Sequence, residues 1–224
     1  MREIILDTET TGLDPAAGDR IVEIACLELV NHLPTGRTFQ RYLNPEREVS
    51  AAALEVHGLS DAFLAKQPRF ADIVDELLAF IGDATLVIHN AEFDVGFLNA
   101  ELARCGRPPL QGKVIDTLQM ARQKFPGAQA SLDALCRRFS IDNSARSKHG
   151  ALLDSELLAE VYLELVGGRQ VGLDLVLQSS APAGSRAPLA ERIARPPRPH
   201  APSPEELAAH AALVAKLKDP IWTA

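Results

Sequence analysis

The sequence of 224 residues predicts one mixed α/β domain, followed by a flexible segment and a single terminal helix. Three observations support this prediction. Three strand-like apolar runs open the chain, and helical and strand-like patterns alternate after them, an order typical of a mixed sheet with helices on its faces. From about residue 179 to 202 the chain is rich in Pro, Ala, Ser and Arg, with almost no large apolar side chains. Such a segment cannot bury enough surface to fold, so we expect a linker. A strong helix-start signal follows it.

The predicted strands are short apolar runs bounded by polar residues. The run Leu86–Ile88 does not alternate between apolar and polar residues, which favours a strand buried on both faces. The five runs cover residues 4–7, 21–30, 38–43, 86–88 and 114–116.

The predicted helices have apolar residues three and four positions apart. They cover residues 70–81, 93–104, 132–139 and 154–166, and Gly167–Gly168 should end the last one. The terminal helix should begin at Ser203 as N-cap, with Pro204 in the first turn and Glu206 completing a capping box. Its apolar stripe runs through Leu217, and Pro220 should end it.

Composition excludes several classes of protein. No apolar run reaches the roughly 18 residues that span a bilayer, and the N-terminus has no secretory signal, so we expect a cytoplasmic protein. The three cysteines form no CxxC pair, which argues against a zinc site or disulfide framework. A formal net charge of −7 argues against a protein that holds nucleic acid without cations or a partner.

Asp7 and Glu9 are the first residues that indicate chemistry. They stand two positions apart at the end of a strand, so both side chains should project from one face. Two close carboxylates repel each other, and a shared divalent cation with its preference for oxygen ligands removes that cost. An acidic turn after a strand is the alternative interpretation.

Asp154, Asp94 and His149 extend this interpretation. Asp154 shares a helical stripe with apolar residues, where a carboxylate is costly unless it is paired or metal-bound. Asp94 also precedes apolar residues on a helix, although either acid could merely favour a helix N-terminus. His149 lies just before the helix of Asp154, and a neutral imidazole there is a suitable general base near pH 7.

Together these residues resemble the three motifs of the DEDDh family of proofreading-type 3′→5′ exonucleases. Residues 6–13 (LDTETTGL) resemble the first motif, residues 89–98 (HNAEFDVGFL) the second and residues 149–154 (HGALLD) the third. The resemblance covers residues 1–168. It implies a ribonuclease-H-like fold whose five-stranded mixed sheet has the middle strand of the opening meander antiparallel to the others.

The resemblance also implies hydrolysis of the last phosphodiester of a 3′ end with two divalent metal ions, Mg²⁺ or Mn²⁺. Asp7 would bridge both metals, Glu9 and Asp154 would complete the first site, and Asp94 would serve the second. His149 would take a proton from the attacking water. The substrate contacts that we expect are Thr8, Thr10, Thr11, His57, Asn90 and Phe93, although threonines at a strand end also suit the backbone there.

Within this family the chain is most similar to the epsilon subunits of bacterial DNA polymerase III, notably in residues 39–45 (FQRYLNP) and 56–61 (VHGLSD). That resemblance implies four parts: an exonuclease domain at 1–168, a clamp-binding segment at 169–178, a linker at 179–202 and a polymerase-docking helix at 203–224. The clamp-binding residues would be Gln170, Leu173 and Leu175, with leucine where an aromatic residue is common. The polymerase-binding residues would be Leu207, Leu213, Leu217, Ile221 and Trp222.

The partners implied are a frayed or single-stranded DNA 3′ end, the polymerase III alpha subunit and the beta sliding clamp. The resemblance leaves room for a small accessory subunit. Two alternatives stay open from the sequence. One is a stand-alone exonuclease acting on RNA or repair substrates, and the other is a non-catalytic bridge between clamp and polymerase.

Overall fold

The computed structural model describes residues 1–144, 146, 148–168 and 201–218. The chain forms two compact units, Met1–Leu173 and Asp174–Ala224. The strands of the first unit are β1 (Arg2–Thr10), β2 (Ile21–Val30), β3 (Leu33–Tyr42), β4 (Thr85–Ile88) and β5 (Val114–Asp116). Its α-helices are α1 (Ala51–His57), α2 (Asp61–Leu64), α3 (Phe70–Ile81), α4 (Ala91–Arg104), α5 (Thr117–Lys124), α6 (Leu132–Phe139) and α7 (Ala151–Leu165).

The five strands form one mixed sheet in the order β3-β2-β1-β4-β5. Strand β2 is antiparallel to both β1 and β3, whereas β1, β4 and β5 are parallel to one another. The predicted topology is therefore confirmed, including the antiparallel middle strand of the opening meander. Because β1 is hydrogen-bonded on both sides, it forms the centre of the sheet.

Helices cover both faces of the sheet and create two apolar clusters. Alternation along β1 sends Ile4 and Leu6 to one cluster and Ile5 to the other, as the two-residue period of a strand requires. The first cluster includes apolar side chains of α3 and α4, and the second includes those of α5, α6 and α7. Helices α4 and α7 therefore approach the sheet from opposite faces.

Several boundaries differ from the predictions. Strands β1 and β3 are longer than predicted, and α4 and α7 begin earlier. Helices α1, α2 and α5 were not predicted, because helices of one or two turns show little apolar periodicity and depend on tertiary packing. Ser50 and Ser60 cap the first two of these helices by accepting hydrogen bonds from Ala53 N and Phe63 N.

The described part of the second unit contains one helix, α8 (Pro204–Val214). Its predicted capping box is present: Ser203 Oγ accepts from Glu206 N at 3.2 Å, and the Glu206 carboxylate accepts from Ser203 N at 2.7 Å. The helix ends at Val214, and residues 215–218 are not helical. The prediction that the helix continues to Pro220 is therefore wrong. Leu217 lies beyond the helix end. No helix among the described residues is long and apolar enough to cross a membrane.

Candidate active site

The difference in length between β1 and β4 creates an opening at the edge of the sheet. Strand β4 pairs with β1 only as far as Ile5, opposite Val87, whereas β1 continues to Thr10. Asp7 and Glu9 lie on this extension and share one face, as the two-residue spacing predicts. The chain leaves β4 at Ile88 and starts α4 three residues later, which brings the first turn of α4 next to the extension.

Asp116 fixes the start of α4. Its carboxylate accepts hydrogen bonds from the backbone amides of Asn90 (3.2 Å) and Ala91 (3.3 Å), while Asn90 adopts a left-handed backbone with φ of 68°. This geometry places Asp94 in the first turn of the helix, where the side chain is 3% exposed. The Thr8 hydroxyl donates a hydrogen bond of 2.6 Å to Asp94 Oδ1, which joins α4 to β1.

Glu23 fixes the start of α7 in a similar way. It lies directly opposite Glu9 on β2, and its carboxylate accepts hydrogen bonds from Ala151 N (3.2 Å) and Gln40 Nε2 (2.7 Å). Asp154 consequently lies in the first turn of α7 and is 3% exposed. Glu23 is absent from the sequence-based candidates. Its signal is an acid inside the otherwise apolar run that forms β2.

The two helix starts and the β1 extension enclose a cleft of about 460 Å³. All five residues that the motifs single out line it. Asp133 of α6 and Arg146 of the α6–α7 connection line it too, and neither was among the sequence-based candidates. Ligand atoms of Glu9, His149 and Asp154 lie within 4.8 Å of one another. The lining consists of Asp7, Thr8, Glu9, Leu13, His89, Asn90, Phe93, Asp94, Ser131, Leu132, Asp133, Arg146, His149 and Asp154.

Three of these carboxylates have raised pKa values. Burial raises the pKa of Asp7 well above its ordinary value, and repulsion from Asp94, Glu9 and Asp154 raises it further. Burial raises the pKa of Glu9 to about 7 and that of Asp94 to about 7, even though the Thr8 hydroxyl stabilises the Asp94 anion. The ionised forms of these three acids are therefore disfavoured by the surroundings that the described residues provide.

Asp154 is different because it has an arginine partner. Arg146 donates from Nε to Asp154 Oδ1 at 2.6 Å and from Nη2 to Oδ2 at 2.7 Å, a bidentate pair. Burial alone would raise the pKa of Asp154, but the contacts with His149 and Arg146 outweigh burial and lower it. Arg146 also donates from Nη1 to Asp133 Oδ1 at 2.8 Å.

His149 lies at the mouth of the cleft, and its side chain is 47% exposed. Its Nδ1 is 2.8 Å from Arg146 Nη2 and 3.3 Å from Asp154 Oδ2. The neighbouring Asp154 carboxylate raises the pKa of His149. The backbone of this segment is held against α1, since His149 N donates to Val56 O at 3.2 Å.

A second cavity of about 360 Å³ adjoins the cleft. Thr8, Thr10, His57 and Phe93 line it together with apolar residues of α1, so four of the predicted substrate contacts lie there. Asn90 lines the first cleft. The Thr8 and Thr10 hydroxyls are already bonded, to Asp94 Oδ1 and to Gly12 O.

Thr11 does not fit the predicted role of a substrate contact. It is 1% exposed, its hydroxyl donates to Asp19 Oδ1 at 3.0 Å, and its backbone N–H and C=O pair with Arg20 and Ser50. Because all of these polar groups have protein partners, Thr11 supports the loop after β1 instead of facing the cleft.

The donor set of the cleft fits divalent cations. Asp7, Glu9, Asp94 and Asp154 supply oxygen ligands, which suit Mg²⁺ and Mn²⁺, and no cysteine lines the cleft. The raised pKa values of three of them show the electrostatic cost that a bound cation would remove.

Comparisons with known proteins identify the family. The family model for exonucleases matches residues 4–162. The DNA polymerase III subunit epsilon of Rickettsia conorii is 54% identical over 184 residues, which cover 80% of each chain. That of Escherichia coli K12 is 44% identical over 222 residues, which cover 94% of this chain and 91% of the relative. The chain belongs to the epsilon exonuclease family. It is therefore a proofreading-type 3′→5′ exonuclease that depends on divalent metal ions.

Solved structures show the same fold around the epsilon exonuclease cleft. Exonuclease X, in complex with 5′ overhanging duplex DNA, is 26% identical with a TM-score of 0.57, over 73% of this chain and 90% of that one. The nuclease domain of 3′hExo, a DEDDh family member bound to rAMP, has a TM-score of 0.65 at 22% identity, over 74% and 91% of the two chains. The second likeness shows the fold alone.

The predicted partner contacts are only partly within the described residues. Leu207 and Leu213 of α8 are exposed, as is Leu217. Gln170, Leu173 and Leu175, as well as Ile221 and Trp222, lie outside the described residues, and so does most of the predicted linker.

Proposed function

We propose that the cleft of this epsilon exonuclease removes mispaired nucleotides from the 3′ end of a DNA primer, one nucleoside monophosphate at a time. The observation that carries the proposal is the meeting of Asp7, Glu9, Asp94 and Asp154, from one strand and two helices, around a single cleft. Nothing in the packing of the sheet requires four acids at this edge. A metal-dependent hydrolase does require them.

Two divalent cations, Mg²⁺ or Mn²⁺, are the proposed cofactors. Burial and repulsion from Asp94, Glu9 and Asp154 together raise the pKa of Asp7, and its closeness to acids of both groups suits a ligand shared between the two cations. Glu9 and Asp154 lie close enough to serve one of them, and Asp94 the other. When bound, such cations supply charge compensation for the phosphodiester and promote ionisation of the attacking water.

His149 is the proposed proton acceptor. Its side chain is 47% exposed and its Nδ1 is 3.3 Å from Asp154 Oδ2, which leaves Nε2 as the nitrogen for the attacking water. An Nδ1–H donated to Asp154 would hold the ring with its Nε2 lone pair available to the attacking water. This arrangement explains why the histidine precedes the metal-ligating acid by five residues: it comes just before the helix that carries the acid.

The second cavity is the proposed site of the terminal nucleotide. Its wall contains Leu13, Val56 and Phe93, which offer apolar surface to a base, and His57 contributes a polar ring beside them. Leu13 is 83% exposed, so its side chain is available to contact a base in this cavity. Among the residues that the structure describes, no arginine or lysine lines this cavity to read base identity, so selectivity should come from the lower cost of unpairing a mismatched end.

Partners should supply the grip on duplex DNA, because the net charge of −7 disfavours tight binding by the chain alone. The proposed partners are the polymerase III alpha subunit, bound by Leu207, Leu213, Leu217, Ile221 and Trp222, and the beta clamp, bound by Gln170, Leu173 and Leu175. The exposure of the three leucines supports the first assignment. A linker over 179–202 would keep the exonuclease close to the primer end.

The decisive experiment compares hydrolysis of mismatched DNA primers and of RNA oligomers by the wild type and by Asp7→Ala, with Mg²⁺. We expect mononucleotide release from DNA by the wild type and none by the variant. Equal activity of the two proteins would overturn the proposed site. A clear preference for RNA would overturn the proofreading role and favour the stand-alone ribonuclease.

Removing residues 203–224 should abolish co-purification with the polymerase while hydrolysis is retained, and retained co-purification would contradict the docking role.

A further inference from the structure

Arg146 occupies an unusual position for a residue of a metal site. Its guanidinium contacts three groups at once: Asp154 through Nε and Nη2, Asp133 through Nη1, and His149 Nδ1 through Nη2. Its side chain is only 8% exposed although the residue lies in a loop. The contacts bring a permanent positive charge into the wall of the cleft, since arginine stays protonated in proteins.

The first consequence concerns Asp154. Both of its carboxylate oxygens accept short charge-assisted hydrogen bonds from Arg146, at 2.6 and 2.7 Å. A divalent cation that bound the same oxygens would lie close to the guanidinium, and the two positive charges would repel each other in a poorly solvated site. Arg146 and a cation therefore compete for Asp154.

The second consequence concerns His149. An arginine has only donors, so the 2.8 Å contact from Nη2 is a hydrogen bond only if His149 Nδ1 is the acceptor. The neutral ring then carries its proton on Nε2. Donation from Nδ1 to Asp154 Oδ2, 3.3 Å away, needs the opposite tautomer, and the shorter contact is the one to Arg146. An Nε2 that already carries a proton cannot accept another from water.

We propose that Arg146 is a counter-ion that competes with a divalent cation for Asp154 and gives up both Asp154 and His149 when the cation binds. While it is in place, one metal ligand and the proton acceptor are both engaged in non-productive contacts. Its departure frees the oxygens of Asp154 and lets His149 Nδ1 donate to Asp154. This inference rests on the proposed ligation of metal by Asp154.

The proposal predicts a direction of change in metal affinity that distinguishes competition by Arg146 from a supporting role. If Arg146 merely arranged the ligands, removing it would weaken metal binding. If it competes with the metal, removing it strengthens metal binding while the metal-free protein loses stability. The chain offers a matched control in Arg20, which forms a similar bidentate pair with buried Glu101 (2.6 and 2.9 Å) and does not line the cleft.

Binding of Mn²⁺ to the full chain, without nucleic acid, tests this direction of change by calorimetry. Measurements at pH 8 lie above the pKa of about 7 of Glu9 and Asp94, which limits competition from protons. We expect Arg146→Gln to bind Mn²⁺ about tenfold more tightly than the wild type, or about 1.4 kcal/mol. We expect Arg20→Gln to lower the melting temperature but to bind Mn²⁺ like the wild type. Unchanged or weaker binding by Arg146→Gln would overturn the inference alone. Failure of the wild type to bind Mn²⁺ would overturn the metal assignment as well.

A second measurement needs no variant. In the wild type at pH 8, ¹⁵N spectra of the histidine rings should show His149 protonated on Nε2 without metal and on Nδ1 after addition of Mg²⁺, and the Arg146 Nε–H signal should shift in the same titration. If Mg²⁺ binds and both signals stay unchanged, Arg146 keeps its contacts in the loaded site and the proposal is wrong.

Discussion

Two groups of buried carboxylates in the same domain are balanced in different ways. Away from the cleft, Glu101 pairs with Arg20 at 2.6 Å and with Arg104 at 3.3 Å, and Glu28 pairs with Arg2 and Arg37 at 2.7 and 2.9 Å. In the cleft, Arg146 is the cation that pairs with Asp154, and among the described residues Asp7 and Glu9 have no such partner. One group is neutralised by the fold, and the other is left to be neutralised by something else.

The pKa directions express the same difference. Hydrogen bonds from Arg2 and Thr35 lower the pKa of Glu28, whereas burial raises the pKa values of Asp7, Glu9 and Asp94. A fold that provides arginines for buried acids elsewhere could have provided them here. Their scarcity in the cleft indicates that the missing charge comes from metal ions, at the expense of the stability of the metal-free protein.

The largest expected effect is on catalysis and comes from Asp94→Asn. This nearly isosteric change removes one ligand charge, and we expect mononucleotide release to fall by about a thousandfold, since a metal ion supplies several kcal/mol of transition-state stabilisation. The metal-free protein should be as stable as the wild type or more so, because a repulsive buried charge is lost. Activity near that of the wild type would show that Asp94 belongs with the structural acids.

Glu101→Gln should have the opposite profile. The change leaves Arg20 without its bidentate partner. We expect the free energy of unfolding to fall by about 3 kcal/mol. This is near the lower end for breaking a buried pair, because Arg104, the second partner of Glu101, is more exposed. Chemical denaturation measures this loss. Under conditions where the variant is folded, its rate of hydrolysis should stay close to that of the wild type. A loss of turnover in the folded variant would contradict the assignment of Glu101 to the structural acids.

The pH dependence of stability should differ with and without metal. Glu9 and Asp94 have pKa values of about 7 in the folded protein and ordinary values of 4.5 and 3.8. The metal-free folded state therefore binds protons that the unfolded state releases, so its stability should fall as pH rises from about 4.5 to 7. Metal needs the ionised forms, so the rise in melting temperature caused by Mn²⁺ should grow over the same window. Parallel curves with and without Mn²⁺ would contradict the raised pKa values.

The smallest expected effect comes from Thr8→Val. Loss of the hydroxyl removes a hydrogen bond that stabilises the Asp94 anion, so the pKa of Asp94 should rise further. Activity at pH 7 should fall by up to about tenfold for each unit of that rise and recover at higher pH. Thr8→Ser keeps the hydroxyl and should keep the wild-type profile of activity against pH. An unshifted profile in Thr8→Val would show that Thr8 acts only in packing.

Much of this contrast could be predicted from the sequence. Asp154 can be predicted as a functional residue because it shares a helical stripe with Leu158 and Val161, where a carboxylate without a partner is costly. Asp7 and Glu9 follow from the two-residue period of strands. The order of strands and helices along the chain predicts a mixed sheet with helices on its faces, and the resemblance of the three motifs implies its antiparallel middle strand.

The residues that sequence reasoning missed act through contacts between distant segments. Arg146 lies in a loop of varied polar residues, and its importance comes from meeting Asp133 and Asp154 in space. Glu23 lies directly opposite Glu9 on the neighbouring strand. Its hydrogen bond with the first residue of α7 is visible only in the folded structure. Thr11 was assigned to substrate from its position beside two acids, but its hydroxyl faces Asp19 on the other side of the loop.

The most direct test of the central claim is a crystal structure of the full chain grown with Mn²⁺ and a deoxynucleoside monophosphate, with manganese located by its anomalous scattering. The account predicts two manganese peaks in the cleft, both within coordination distance of the Asp7 carboxylate, with Glu9 and Asp154 at one and Asp94 near the other. Manganese bound elsewhere, with Asp7 and Glu9 free of any ion, would contradict it.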